Sequence, residues 1–435
     1  MTVPHHRMPV DMFTAIARSR AGVSAVETLA RAQESKVKLL LREVVDRVTG
    51  PRAVLVAAAY DQLASVGRDD PAVLREVLRH PVVGAWAVEA ANTARLDGSP
   101  GPERMAYVAA AAAIRSGGRY ELSLPAPRTP EPIVPLPTLG HVVLPARAAG
   151  PVVLRTGSGG ARLCQGTVSV TVGAGDPRFI PVPWIRAEAD GLRIGLQLDR
   201  ASWLLAPGLT GRGQHPIERW GQDTEAWAGH LTAAWQVLVA RHRPVAEEAA
   251  ATYTLLTPLA SPSRGQNSGT YEDAFGCLAM SPPIHAVFGA ATVAHELRHA
   301  ELAVLMDLFT LVEPDDDGLY YAPWRPDPRP ARGLLHGVYA HLGLSAFWAA
   351  EASAAGPGSE AEIQLARWRQ AAASGAQTLL DEARLTELGR LFVTAVRDEL
   401  RRWGQVPISA AAAESARRQA ETHRREWLRR NCVDR

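Results

Sequence analysis

The spacing of hydrophobic residues changes along the chain and divides it into helical and extended regions. From residue 10 to about 116, apolar residues recur every three or four positions, which predicts amphipathic helices over 10–47, 71–93 and 102–116. Between 138 and 212 the period falls to two, and five short segments are typical of antiparallel strands between glycine-rich turns. Helical spacing then returns. We therefore expect an α+β fold, mainly helical with an antiparallel β insert.

These changes predict four regions: N-terminal helices over 1–123, an antiparallel β region over 138–212, a core over 213–358, and C-terminal helices over 359–435 that pack on the core. Six prolines between 124 and 137 exclude a helix there and predict an extended connector. In the core, one helix is predicted over 216–251, with a tryptophan stripe at 220, 227 and 235 that is typical of a buried face. The last helices are predicted over 361–373, 377–403 and 409–428.

Composition narrows the class of protein. With 435 residues, 47% of them hydrophobic, the chain can bury a substantial core, and its net charge of +2 gives no general attraction to nucleic acid or to an anionic membrane. The cysteines, Cys164, Cys277 and Cys432, are far apart and odd in number, which favours a reducing compartment over a disulfide framework. Residues 1–13 contain no apolar core of signal-peptide length, and no apolar run approaches the length of a membrane span. We expect a cytoplasmic protein.

The strongest chemical signal is an HExxH motif formed by His295, Glu296 and His299. It lies in an apolar run over 288–311 that contains no proline, which predicts a long and largely buried helix. Two histidines four positions apart lie on the same face of a helix, so their imidazoles can converge on one cation. The pattern predicts a helical HExxH metal-binding core, with two ordinary core or surface histidines as the alternative.

A zinc peptidase is the first interpretation of HExxH, with Glu296 as the general base acting on a metal-bound water. The metzincin variant requires glycine and histidine at 302 and 305, where this chain has Leu302 and Leu305. An acidic third ligand is hard to place, because Glu313 and the acidic run 315–317 belong to a predicted solvated turn. Glu351, at the far end of the next helix, stays open.

His336 is the favoured third ligand. It lies in a second apolar helical segment, over 333–341, with small residues around it. His341 is five positions further on, about 140° around the helix, and is expected to point elsewhere. A plain core histidine at 336 is the alternative. Three histidines leave positions open on the cation, which suits a hydrolytic zinc and also an Fe(II) that binds a co-substrate and O₂.

Two loops flank the predicted metal helices. The segment 320–330 carries four prolines together with Arg325 and Arg329, whose planar guanidinium groups suit the carboxylates of a dicarboxylic acid; pairing with Asp327 is the alternative. The polar segment 261–271 precedes a predicted buried strand over 275–280. Its Ser268 and Thr270 either donate to a ligand or belong to an ordinary surface turn.

Taken together, four stretches resemble the HExxH-domain family of putative peptide-modification proteins, whose members are described as α-ketoglutarate-dependent HExxH-type peptide β-hydroxylases. The resemblance covers about 261–348, and the combination is far more specific than HExxH alone. The stretches are Ser268-Gly269-Thr270 with Phe275-Gly276, Ala294-His295-Glu296-Leu297-Arg298-His299, Ala322-Pro323-Trp324-Arg325-Pro326-Asp327-Pro328-Arg329-Pro330, and Gly333-Leu334-Leu335-His336-Gly337-Val338-Tyr339.

The resemblance implies an Fe(II)- and 2-oxoglutarate-dependent oxygenase that hydroxylates a β-carbon in a ribosomally made precursor peptide, often beside a radical SAM enzyme of the same pathway. It implies iron ligands at His295, His299 and His336. The co-substrate site would use Arg329 or Arg325 as its anchor, together with Ser268, Thr270 and Tyr339, and Glu296 would orient a ligand or an iron-bound water.

Because oxygenases of this kind usually have two histidines and one carboxylate, the third ligand stays open. Two other classes also remain, a zinc metallopeptidase that cleaves a peptide and a non-catalytic peptide-binding scaffold. Product mass and metal content would distinguish the three.

Overall fold

The N-terminal region is helical, as the sequence predicts. The protein is described here from a computed structural model over residues 6–94, 101–127, 132–145, 150–173, 175–199, 223–263 and 265–431. Cys432, Trp220 and the predicted boundary between 212 and 213 lie outside these residues. The first α-helices are α1 (Val10–Ala17), α2 (Gly22–Arg47), α3 (Pro51–Asp69), α4 (Pro71–Leu78), α5 (Pro81–Thr93) and α6 (Met105–Ser116), with a short 3-10 helix at Pro102–Arg104.

The continuous helix expected over 10–47 is wrong at one point. The chain turns between α1 and α2, where Ser19 has φ of 56° and Gly22 has φ of 69°. Both values lie in the left-handed region, which does not continue a right-handed helix. The turn lets α1 pack beside the C-terminal helices, where Phe13 and Ile16 are buried.

The strands that follow alternate between buried and exposed residues in most cases. They are β1 (Glu121–Leu124), β2 (Ile133–Leu136), β3 (Gly140–Val143), β4 (Val152–Gly157), β5 (Gly160–Gln165), β6 (Val168–Val172), β7 (Phe179–Pro181), β8 (Trp184–Ala189) and β9 (Leu192–Leu198). One antiparallel sheet has the order β1-β4-β5-β6 and a second has the order β2-β3-β7.

The last two strands correct the prediction of a purely antiparallel insert. In a mixed sheet of order β11-β12-β10-β9-β8, β9 runs parallel to β10 (Leu255–Pro258), and β10 runs parallel to β12 (Cys277–Met280); β11 is Ser268–Gly269. Strands β10 and β12 are buried along their whole length, which is typical of central parallel strands. This sheet therefore joins the β region to the core, and β12 confirms the predicted buried strand.

The helices of the core and the C-terminus are α7 (Thr224–Arg241), α8 (Arg243–Thr252), α9 (Ala286–Leu308), α10 (Ala331–Ala355), α11 (Glu360–Glu382), α12 (Glu387–Gly404) and α13 (Ala410–Asn431), with a short strand pair β13 (Leu319–Tyr320) and β14 (Arg329–Pro330). This composition of helices and small sheets confirms the mainly helical α+β class. Among the described residues, no helix combines the length and apolar character needed to cross a bilayer.

Several predicted helix boundaries are wrong. The helix expected over 71–93 is divided into α4 and α5 before Pro81, and the helix expected over 377–403 is divided between Glu382 and Glu387. Two further boundaries differ for reasons that involve proline and glycine. The helix expected over 216–251 is interrupted at His242, because Pro244 occupies the first turn of a new helix and has no amide hydrogen to continue the old one. Conversely, α11 runs through Gly375, where a break was expected. A Cβ there would lie 2.7 Å from Val338 of α10, so this glycine permits close helix packing.

A buried charged cluster fixes the inner side of α9. The guanidinium of Arg298 donates to Glu248 and, at 2.7 Å, to Glu301. Glu248 also accepts the amide of Gly22 at the start of α2 (2.6 Å). The Tyr339 hydroxyl of α10 donates to the Ile16 carbonyl (2.6 Å) and lies 3.0 Å from Glu301. The cluster therefore ties α9 to α1, α2, α8 and α10.

Candidate metal centre

The HExxH motif lies in the middle of α9, as predicted, and its two imidazoles face each other. The Nε2 atoms of His295 and His299 are 3.2 Å apart, with the ring planes at 81°. Metal–imidazole bonds of about 2.1 Å that meet at roughly 90–110° would hold two nitrogens about 3.0–3.4 Å apart. The two nitrogens therefore stand at the separation that one shared cation requires.

His336 lies beside this pair, on α10. Its ring stacks on that of His299 with centroids 5.8 Å apart and an interplanar angle of 26°. Its Nε2 atom is buried without a hydrogen-bond partner and is 4.0 Å from a carboxylate oxygen of Glu272. An imidazole nitrogen that is buried and has no partner is suited to binding a cation.

His341 does not point elsewhere, contrary to expectation. Its ring centroid is 5.1 Å from that of His295, and the ring lies between Trp324 (4.4 Å) and Trp368 (4.6 Å). Its Nδ1–H donates to the Gly337 carbonyl at 2.7 Å. The expectation considered α10 alone, whereas α9 crosses it so that His336 meets His299 and His341 meets His295.

Burial keeps these imidazoles neutral near pH 7. Desolvation, aided by the neighbouring His295, lowers the pKa of His299 to about 4. Desolvation, aided by His299 and Arg332, lowers the pKa of His336 to about 3. Burial also lowers the pKa of His295 and of His341. Neutral imidazole is the form that binds a metal, so no proton has to be removed first at neutral pH.

The imidazoles of His295, His299 and His336 suit a cation that prefers nitrogen ligands, such as Fe(II) or Zn(II). Within the described part of the chain, no three or more His, Cys, Asp or Glu side chains are already drawn together closely enough to hold a metal. His295 and His299 supply two positioned nitrogens, and the partnerless nitrogen of His336 lies next to them. The ring centroids of His299 and His336 are 5.8 Å apart, so a three-nitrogen site would require the His336 side chain to move toward the pair.

Glu296 is fixed by the loop that precedes the metal helix. Ser268 donates to one of its carboxylate oxygens at 2.6 Å and Thr270 donates to the other at 2.7 Å, and the residue is only 2% exposed. The sequence left open whether both hydroxyls donate to a ligand or belong to an ordinary surface turn. In the structure they hold Glu296 instead, because β11 passes directly beside α9.

The predicted co-substrate residues are engaged in other contacts. Arg325 and Arg329 both pair with Asp327, at 3.1 and 3.3 Å, which is the structural alternative that the sequence left open. Tyr339 was expected to line the co-substrate site. Its buried hydroxyl instead belongs to the charged cluster behind α9, because Tyr339 lies on the core-facing side of α10.

Two of the acidic side chains considered as third ligands, Glu351 and Asp315, have partners elsewhere. Glu351 accepts hydrogen bonds from Arg241 and lies 2.7 Å from Nε2 of His242. In the acidic run, Asp315 pairs with Arg384 at 2.6 Å. These contacts tie the carboxylates to structural roles away from the HExxH pair.

Sequence reasoning missed two charged residues that border the site, Glu272 and Arg332. Their side chains pair at 3.2 Å. Arg332 lies one helical turn before His336, so the i and i+4 spacing could have revealed it. Glu272 follows Thr270 in the polar loop, and only the tertiary structure brings this loop beside α10.

Comparison with known proteins gives no match to this chain, either among protein-family models or among curated proteins. The resemblance over 261–348 therefore stays a prediction.

Proposed function

We propose that the protein is an Fe(II)- and 2-oxoglutarate-dependent oxygenase that hydroxylates a β-carbon in a ribosomally made precursor peptide. The observation that carries the proposal is the pair of Nε2 atoms 3.2 Å apart on His295 and His299, with the partnerless nitrogen of His336 beside them. Three neutral imidazoles would hold Fe(II) and leave adjacent positions for a co-substrate and O₂.

The environment of Glu296 favours an oxygenase over a peptidase. In a zinc peptidase this glutamate must accept a proton from the metal-bound water. Here both of its oxygens already accept hydrogen bonds, from Ser268 and Thr270, and these bonds orient the carboxylate toward the loop. We infer that Glu296 positions α9 and its histidines relative to the loop, acting beside the metal ligands.

When bound, iron would couple the oxidative decarboxylation of 2-oxoglutarate to hydroxylation of the peptide. The residues of the chain would hold and orient the reactants. His295, His299 and His336 would fix the cation, and the buried position of α9 would limit the access of water to it. Arg325 and Arg329 would have to leave Asp327 before either could anchor the co-substrate, as the family resemblance implies.

The substrate class and partners follow from the same proposal. The partner would be a precursor peptide made in the cytoplasm, in a pathway that often includes a radical SAM enzyme. No nucleic acid and no membrane is required. The modified residue belongs to the peptide, so identifying the peptide is part of the test.

The test is co-expression with the precursor peptide encoded beside the gene, followed by mass spectrometry of the peptide. We expect a gain of one oxygen atom that depends on iron, 2-oxoglutarate and O₂, and that is lost with His295→Ala. Purified protein should release succinate under the same conditions. Cleavage of the peptide by the zinc-loaded protein, with no gain of oxygen, would instead establish the peptidase alternative. Protein that retains no metal by elemental analysis would indicate the non-catalytic scaffold.

A further inference from the structure

A cleft of about 480 Å³ opens between the three C-terminal helices, α11, α12 and α13. Its volume lies in the range of about 300–1,000 Å³ that is typical of ligand sites. The face of α11 that lines it consists of Ala366, Arg369, Gln370, Ala373 and Gln377. Trp368, which packs on His341, lies about 180° around the same helix. The cleft and the metal centre therefore lie on opposite faces of α11.

The charge of the cleft is positive. Arg369, Arg397 and Arg401 line it, and no acidic side chain of the described residues does. Arg397 and Arg401 share one carboxylate, that of Asp398, at 3.0 and 3.4 Å. Three guanidinium groups are thus accompanied by a single nearby carboxylate, and a cleft of this kind attracts anions.

Arg369 is held in place without an acidic partner among the described residues. Its Nη1 donates to the backbone carbonyls of Trp403 and Val406, at 3.1 and 2.7 Å, which fixes the guanidinium at the end of α12. Its Nε and Nη2 make no hydrogen bond with any described residue, and burial lowers the pKa of the group. A fixed guanidinium with N–H groups to spare is a preformed donor for an incoming carboxylate.

The rest of the lining suits a polypeptide. Three apolar side chains, Leu400, Ala366 and Ala416, are each 3% exposed and form a buried floor for apolar groups. The amides of Gln370 and Gln405 make no hydrogen bond with a described residue, so they can pair with the N–H and C=O groups of a bound backbone. Sites for single-stranded nucleic acid stack bases on aromatic side chains, and none of the described lining residues is aromatic.

We propose that this cleft is a docking site for an acidic peptide segment. Its carboxylates would pair with Arg369, Arg397 and Arg401, and its apolar side chains would lie on the buried floor. The site contains no candidate metal ligand and lies on the far face of α11. The proposal therefore goes beyond the proposed function and holds whether or not the metal centre is an oxygenase.

The experiment measures binding of a fluorescein-labelled peptide, in which each leucine is flanked by glutamates, to the full-length protein by fluorescence anisotropy. Wild-type protein should bind it with a Kd below about 1 mM, and the Kd should rise as salt is added. Arg397→Gln combined with Arg401→Gln should raise the Kd by about tenfold or more, as expected when hydrogen bonds between charged groups are lost. Asp398→Asn should lower the Kd, because it removes the competing carboxylate.

A second variant tests the cleft without changing its charge. Ala373 is exposed and lies in the middle of the α11 face. A phenylalanine there would occupy the cleft and leave the core undisturbed. Ala373→Phe should therefore remove most of the peptide binding, while circular dichroism shows an unchanged fold.

Arg42→Gln combined with Arg155→Gln is the matched control. Both arginines are 60% exposed, and they pair with Asp46 and Glu121 at 2.9 and 3.1 Å. They lie on α2 and β4, so this variant loses the same charge outside the cleft. Because exposed charges far from the peptide are screened, its Kd should change by less than about twofold.

The proposal is overturned if wild-type protein does not bind the peptide, or if the two double variants lose equal affinity. Full binding by Ala373→Phe would also overturn it, as would equal binding of a peptide with glutamine in place of glutamate. Tighter binding of a labelled single-stranded DNA, lost in the same variants, would assign the cleft to nucleic acid instead.

Discussion

Glu296 shows how neighbouring hydroxyls can set the role of a residue in a familiar motif. Its spacing from His295 and His299 fits a general base, but both of its carboxylate oxygens are occupied by Ser268 and Thr270. A group held in this way contributes position more than proton transfer. The motif therefore predicts the metal site but does not by itself predict the chemistry.

We expect Glu296→Gln to bind iron and to retain part of the 2-oxoglutarate turnover. A glutamine keeps one oxygen to accept a hydrogen bond from Ser268 or Thr270, so the loop and α9 stay in contact. The measurement is succinate formation with iron content determined on the same sample. Complete loss of turnover with normal iron binding would show that the carboxylate has an obligatory chemical role.

Arg298 lies within the HExxH motif but faces away from the histidines, into the charged cluster. It is 1% exposed, and its guanidinium donates to both Glu248 and Glu301. Arg298→Met would fill much of the space but leave the buried carboxylate of Glu248 without a cation, and we expect a loss of about 3–5 kcal/mol in the free energy of unfolding in urea. Arg243→Met, which removes an exposed arginine, should cost less than about 1 kcal/mol. Similar losses for the two variants would contradict this account.

Glu301 gives the cluster a pH dependence. Burial raises the pKa of Glu301 to about 8, so the folded protein keeps a proton that the unfolded chain, with a pKa of 4.5, releases. Its contribution to stability is complete below pH 4.5 and is lost as the pH rises through about 8. Glu301→Gln should remove this decline. The free energy of unfolding of the variant minus that of the wild type should therefore become more positive from pH 5 to pH 8. A constant difference would show that Glu301 is ionised in the folded protein.

Much of the candidate site could be predicted at the residue scale. Spacing along one helix identified His295 and His299, and small neighbours in a second apolar helix identified His336. The contact between Glu272 and Arg332 could not be predicted, because it joins residues 60 positions apart and depends on how β11 meets α9. Pairing of Arg325 with Asp327 could be anticipated only as one of two alternatives, since an arginine serves ligands and structural acids alike.

At the scale of elements, hydrophobic spacing and composition predicted which segments form helices and strands. They predicted less reliably which elements pack or pair with each other. The alternation in β9 predicts a strand, but its parallel partner β10 lies beyond a segment of more than fifty residues. A glycine in a helical segment can either end the helix or allow a neighbouring helix to pack closely. A break was predicted between residues 373 and 377, but the helix continues through Gly375, whose missing Cβ makes room for Val338 of α10.

The contact between α10 and the proline-rich loop depends on another glycine. A Cβ at Gly337 would overlap the Trp324 ring, which stacks on His341. Gly337→Ala should therefore lower the free energy of unfolding by about 1–3 kcal/mol. At Gly229 in α7 nothing lies within 4 Å of the added atom, so Gly229→Ala should raise it by about 0.5–1 kcal/mol. Denaturant unfolding of both variants provides the measurement, and effects of the same sign would contradict the packing argument.

At the scale of the whole molecule, the N-terminal helices belong to the same core as the metal helices. Ile16 of α1 is fully buried in a cluster with Leu335, Tyr339 and Phe392. Arg20 donates to Glu399 of α12 at 2.8 Å. The region over 1–123 was predicted only as N-terminal helices, and the first of these helices pack against elements that lie hundreds of residues away in the chain.

Ile16→Ala should therefore destabilise the whole protein. We expect a loss of about 2–5 kcal/mol in the free energy of unfolding, as for other large-to-small changes in a core. Circular dichroism and tryptophan fluorescence should report one shared transition at a lower denaturant concentration. Separate transitions, with only part of the signal affected, would show that the N-terminal helices unfold on their own.

The candidate site has a buried part and an exposed part, and substitutions should be tolerated differently in the two. Imidazoles come from two buried helices, where any exchange disturbs the packing around them, whereas Glu272 and Arg332 lie at the rim and touch solvent. Substitutions at the rim should therefore change the charge beside the candidate site with little effect on the core. Substitutions of the buried imidazoles should change both the site and the packing of the two helices that carry them.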